Sequence, residues 1–208
     1  MTKVYPNAAS AALTERPKPP ASSGNTTVLT VWKKSLLLNC SGFTVFDSSG
    51  NLVFRVDNYV AAGDGEMVLM DAAGKPLLTI RRKRLSLGDS WLVFEGETAV
   101  NPRFLVRKHV NLWNSRTLAH VSSGNGGAWS TSPSKNALYE IEGSYSQRCC
   151  AVYDGKRRRV AEIKQKEAVG GVGFGVDVFR LIVQPEMDTA LAMALVILLD
   201  QMFGSSRR

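Results

Sequence analysis

Residues 190–199 (ALAMALVILL) are ten consecutive apolar positions, bounded by Pro185, Glu186 and Asp188 on one side and by Asp200 and Gln201 on the other. That frame is a helix frame. Acidic side chains suit the positive end of a helix dipole and proline suits its first turn. Gly204 supplies a stop, with Arg207 and Arg208 near the negative end. From residue 187 to 203 such a helix is about 25 Å long at roughly 1.5 Å per residue. A bilayer span needs roughly 20 apolar residues, so no membrane span is expected. A tail anchor would also set Asp188 and Asp200 within or against hydrocarbon, at high cost. A helix that is apolar on every face and not in lipid has to be enclosed by protein.

The rest of the chain offers strands to do the enclosing. Short apolar or alternating runs occur at 28–32, 43–46, 52–56, 67–70, 77–80, 91–94, 104–106, 137–141, 149–153, 160–163 and 176–183. Their lengths and their Val, Ile, Phe and Trp content predict strands, and the turn residues between them predict an antiparallel sheet. A closed sheet around the helix leaves no open edge and lets alternate strand residues contact the helix on all sides. The expected fold is therefore all-β dominated: a closed antiparallel barrel enclosing a hydrophobic C-terminal helix.

Two hairpins repeat one another. Val45-Phe46-Asp47-Ser48-Ser49-Gly50 and Leu69-Met70-Asp71-Ala72-Ala73-Gly74 share an apolar pair, an Asp able to bond its own turn, and a Gly placed for positive φ. Val152-Tyr153-Asp154-Gly155 is a third variant. None carries the spacing or the closing Glu of a calcium loop. Residues 122–135 are Gly- and Ser-rich and read as an exposed loop. Residues 1–26, rich in Ala, Ser and Pro, have no apolar period and no signal-peptide core, so a disordered tail is expected ahead of a single domain at 27–208.

Chemistry is sparse. His109 and His120 are the two histidines, and each reads as a strand residue satisfied locally, since no nucleophile motif or metal-binding spacing accompanies them. Cys40, Cys149 and Cys150 are an odd set without a C-x-x-C, which predicts neither a disulfide framework nor a zinc site. On a strand, Cys149 and Cys150 point to opposite faces. Residues 170–175 (GGVGFG) lack the lysine of a phosphate loop and lead into a strand, where a dinucleotide loop must open a helix. No enzyme class, cofactor or metal is expected.

Charge is the remaining signal. Against 18 Asp and Glu stand 26 Lys and Arg, a net charge of +8, which favours anionic partners. Two clusters concentrate it: Arg81, Arg82, Lys83 and Arg84 at the end of a strand, and Lys156, Arg157, Arg158 and Arg159 on the hairpin opened by Asp154-Gly155. Both are candidate anion or phosphoinositide contacts. The hairpin is the favoured one, and solvated surface charge is the competing reading for each.

The sequence also resembles a known family. Gly42-Phe43-Thr44-Val45-Phe46-Asp47 with Gly50-Asn51-Leu52-Val53-Phe54-Arg55-Val56, the stretch 69–80, and Asp89-Ser90-Trp91-Leu92-Val93-Phe94-Glu95-Gly96 follow the order seen in the plant LURP-one-related proteins. So does Val183-Gln184-Pro185-Glu186-Met187-Asp188, leading into the apolar helix. The resemblance covers most of residues 27–203. It implies a tubby-like barrel of about twelve antiparallel strands threaded by a C-terminal helix. It also implies a distant tie to tubby proteins, which bind phosphoinositides, and to phospholipid scramblases. No calcium loop or bilayer-length run carries the scramblase features over, and no segment aligns with the tubby phosphoinositide motif.

Members of the family are associated with pathogen defence, a biological role and not a chemistry. Together these readings predict a non-enzymatic binding or signalling module, monomeric and cytoplasmic, peripheral at a membrane or nuclear. It would meet anionic lipid headgroups weakly or bind a protein partner. Nucleic-acid binding through the basic clusters is the alternative.

Overall fold

The structure, a computed structural model, describes residues 24–34, 36, 41–58, 65–83, 89–98, 100–109, 116–124, 137–167 and 175–204. Twelve strands precede one helix. They are β1 (Thr27–Trp32), β2 (Ser41–Phe46), β3 (Leu52–Asn58), β4 (Glu66–Asp71), β5 (Pro76–Arg82), β6 (Ser90–Glu95), β7 (Phe104–Lys108), β8 (Thr117–Ser123), β9 (Tyr139–Ser144), β10 (Cys149–Asp154), β11 (Arg159–Gln165) and β12 (Val178–Val183), followed by α1 (Thr189–Phe203). Each strand pairs antiparallel with its sequence neighbours, and β1 pairs β12 from Thr27↔Val183 to Trp32↔Val178, closing the barrel. The expected architecture is the observed one. β8 is the strand that the apolar runs pass over, because Thr117, His120, Ser122 and Ser123 dilute its alternation.

The interior is built by period two. Leu29 and Val31, Val45 and Phe43, Leu69 and Met67, Ile80 and Leu78, Val93 and Trp91, and Leu181 and Phe179 are all buried, two residues apart on their strands. These side chains enclose α1, in which every residue from 191 to 199 is buried. Ten apolar positions with no polar face are stable here because the sheet surrounds the helix on all sides. Asp188 is the N-cap: its carboxylate accepts from the Leu191 amide at 2.7 Å, satisfying a donor the helix start leaves open.

Gly204 ends the helix, though in an extended conformation with φ −61, so positive φ is not its purpose. Its amide donates to the Asp200 carbonyl, and a methyl group at its Cα would stand 2.3 Å from that same oxygen. Close approach is what requires glycine at this position. Arg207 and Arg208, expected near the negative end of the dipole, lie outside the described residues, as do residues 1–23 of the expected tail.

The topology gives the barrel two distinct rims. The odd-numbered strands and α1 all end at one, here the upper rim. The even-numbered strands end and α1 begins at the lower rim.

Candidate functional site

The favoured basic hairpin lies at the lower rim. Asp154 accepts from the amides of Lys156 and Arg158, each at 2.9 Å, which folds the chain back into β11. Those bonds, that to the Arg158 amide foremost, hold the Asp154 carboxyl below its ordinary range. Asp47 and Asp71 build their turns the same way, with Gly50 at φ 85 and Gly74 at φ 88 three residues on. In the third turn that position is Arg157, at φ 61. Gly155 does not take the left-handed conformation that the sequence assigns to the glycine of these turns.

Most of the hairpin's charge is already matched. Arg157 reaches Glu140 at 2.9 Å and Glu142 at 2.8 Å on β9 and stacks on Tyr153. The arginine is held charged chiefly by its hydrogen bond to Glu142. Arg158 pairs with Asp154 at 2.7 Å and Arg159 with Glu162 at 3.2 Å. Lys156 has no ion pair among the described residues.

The second cluster lies at the upper rim, at the other end of the barrel, so the two are separate surfaces. Arg81 pairs with Glu66 at 2.5 Å and Arg82 with Asp89 at 2.5 Å, while the Lys83 amide donates to the Ser90 carbonyl. Arg84 lies outside the described residues. Around the same rim, Lys34 and Arg116 are exposed and without an ion pair among the described residues.

Apolar exposure accompanies that charge, and no single stretch of sequence displays it. Trp32 is 41% exposed, Leu36 53% and Val176 55%. Trp32 pairs in register with Val178, and the Lys33 amide donates to the Asp177 carbonyl at 2.7 Å, so the end of β1 and the approach to β12 form one corner. The Lys34 ammonium sits 5.2 Å from the Trp32 ring centroid. Lys33 turns inward and meets Asp200 of α1 at 2.8 Å, while Lys108 donates to the Met202 carbonyl and lies over Phe203. The helix end is thus tied to the rim by two cations.

The histidines meet, which local reading did not show. His120 Nε2 stands 3.3 Å from His109 Nδ1, with the rings edge to face. His120 Nδ1 is buried without a hydrogen-bond partner. A histidine base needs a group to orient its second nitrogen, and His120 has none. Burial holds its pKa below the ordinary value, with His109 adding to the effect and Glu140 opposing it. Cys149 is exposed and Cys150 buried, on opposite faces as expected, and burial pushes the Cys150 thiol up to about 12. Cys40 lies outside the described residues, as does most of the Gly-rich stretch at 170–175. Among the described residues no three His, Cys, Asp or Glu side chains are grouped to hold a metal ion, and no helix is long and apolar enough to cross a membrane.

A sequence model described as LURP-one-related matches residues 27–200, the whole barrel and nearly all of α1. Protein LURP-one-related 8 of Arabidopsis thaliana is 52% identical over 99% of this chain and 100% of its own. Protein LURP-one-related 17 of the same plant is 46% identical over 87% of this chain and 85% of its own. An Arabidopsis thaliana protein solved by X-ray crystallography superimposes with a TM-score of 0.65 over 88% of this chain and 95% of that one, at 24% identity, a likeness of fold. Family match, identity and barrel agree: this chain belongs to the LURP-one-related family, whose barrel and enclosed helix are not a known catalytic architecture.

Proposed function

We propose that the protein is a non-enzymatic module that docks reversibly on anionic membrane headgroups through its upper rim. The observation that supports this is the corner where Trp32 and Val176 are exposed beside Lys34, with Leu36 exposed a little further along the chain. A partly exposed tryptophan suits a membrane interface, and a lysine beside it suits an anionic leaflet. At about 1 kcal/mol per basic residue near such a leaflet, a handful of cations supports recruitment and not permanent anchoring.

Arg81, Arg82 and Lys83 fall on the same side and, with Arg84 next in the sequence, are proposed as flanking contacts. Lys156, Arg157, Arg158 and Arg159, at the lower rim, would face away from a leaflet met by the upper one. They remain a separate candidate anion contact, weakened by their carboxylate partners. Reversible recruitment of this kind fits a signalling role in plant defence and the phosphoinositide-binding tubby relatives that the resemblance implies.

The test is co-sedimentation with vesicles of phosphatidylcholine alone and with added phosphatidylserine or phosphatidylinositol phosphate. Trp32→Ser with Leu36→Ser should lose most of the sedimented fraction without a change in melting temperature. Replacing residues 156–159 by serine should leave most of it. The reverse order would move the site to the lower hairpin. Loss to duplex DNA competitor whatever the lipid would favour the nucleic-acid reading.

A further inference from the structure

We propose that Arg148 is the seat of a single phosphate group at the upper rim. Arg148 lies in the turn between β9 and β10 and is only 5% exposed, with its backbone in the left-handed region at φ 50. Its guanidinium lies over two rings, 4.1 Å from the Tyr145 centroid and 4.4 Å from that of Phe179. Nε donates to the Val176 carbonyl at 2.7 Å. These contacts fix the group's position, yet Nη1 is buried with no hydrogen-bond partner and no carboxylate pairs with Arg148 among the described residues.

A buried cation without a counter-charge is costly, and a rigid guanidinium with an unpaired N–H has a donor left for an anion. Asp200 does not discharge it. That carboxylate already takes Lys33 at 2.8 Å and the Tyr145 hydroxyl at 3.2 Å on one oxygen. Lys33, Tyr145 and Arg148 therefore bring three donors to one corner against a single carboxylate. A phosphate monoester carries close to two negative charges at neutral pH and several acceptor oxygens, which matches a guanidinium N–H with the Lys33 ammonium linked to it through Asp200 and Tyr145. The residue whose carbonyl holds Arg148, Val176, is the exposed apolar residue of the docking corner. The headgroup source of the phosphate rests on the docking reading, whereas the seat itself does not.

The full chain is titrated with inorganic phosphate and with inositol trisphosphate while the side-chain nitrogen resonances of Arg148 are followed, and affinities are measured for the parent, Arg148→Lys and Arg148→Gln. The seat predicts a saturable shift of the Arg148 Nη signals in the parent. It also predicts an affinity loss of about tenfold or more in Arg148→Gln, with Arg148→Lys between the two. An Nη signal unmoved by either probe, or equal affinity in the parent and a folded Arg148→Gln, overturns it. Vesicles containing phosphatidylinositol phosphate separate the sources. If Trp32→Ser abolishes sedimentation but keeps the soluble-phosphate shift, the seat stands and takes its phosphate independently of docking. If Arg148→Gln loses the soluble-phosphate affinity but sediments with an unchanged preference for phosphoinositide over phosphatidylserine, docking and the seat both stand and the lipid headgroup is overturned as the source of the seat's phosphate.

Discussion

Arg157 occupies the place that Gly50 and Gly74 hold in the two sister turns, at a φ that a side chain rarely adopts. What offsets that strain is exposed electrostatics, the reach to Glu140 and Glu142, and such pairs weaken as salt screens them. Arg157→Gly should therefore gain in melting temperature relative to the parent as salt is raised. A difference that does not move with salt would contradict this balance.

His120 behaves differently because it is buried. Its pKa is lowered from 6.5 in the fold, chiefly by desolvation, so the unfolded chain takes up the proton first. The contribution is whole above pH 6.5 and is lost as pH falls from there through the folded value. Opposite it stand Arg107 on β7 and Glu140 on β9, with His109 beyond β7; of these Glu140 favours the proton and His109 opposes it. His120→Gln should flatten that part of the stability profile, measured as melting temperature against pH. An unchanged acid slope would place its origin elsewhere.

At the scale of elements, α1 is the part on which the barrel most depends. Leu195 is 1% exposed inside a ring of buried strand residues. Leu195→Asp removes packing and buries a carboxylate with no partner, a loss of several kcal/mol where a whole domain has about 5 to 15. The expected result is loss of the cooperative melt; a variant that melts near the parent would mean that the helix is not enclosed.

The helix and most strands were legible because their signals are local: ten apolar residues in a row, alternation, and an Asp three residues before a Gly. β8 was not, since its inward Ala119 and Val121 are too few to mark a period. Strand pairing was also invisible locally, and it decides the charges. Arg157 reads as a free cation until β9 brings Glu140 and Glu142 against it. The same pairing brings Trp32 beside Val178 and the two histidines together across β7 and β8.

For the whole molecule, closure turns a list of basic stretches into two rims with different character. At the lower rim Arg157, Arg158 and Arg159 are tied to carboxylates, and the exposed apolar side chains there, Val28, Val100 and Leu138, include no aromatic ring. At the upper rim exposed apolar groups stand beside Lys34, and the end of α1 is held by Lys33 and Lys108. One molecule meets a flat leaflet with one rim only. Labels read that orientation directly: a fluorophore on Val176→Cys or on Lys156→Cys, each with Cys40→Ser and Cys149→Ser, is challenged with a quencher confined to the lipid phase of phosphoinositide-containing vesicles. Docking through the upper rim predicts strong quenching at 176 and little at 156; quenching at 156 with none at 176, or at neither on vesicles that sediment the protein, would contradict it.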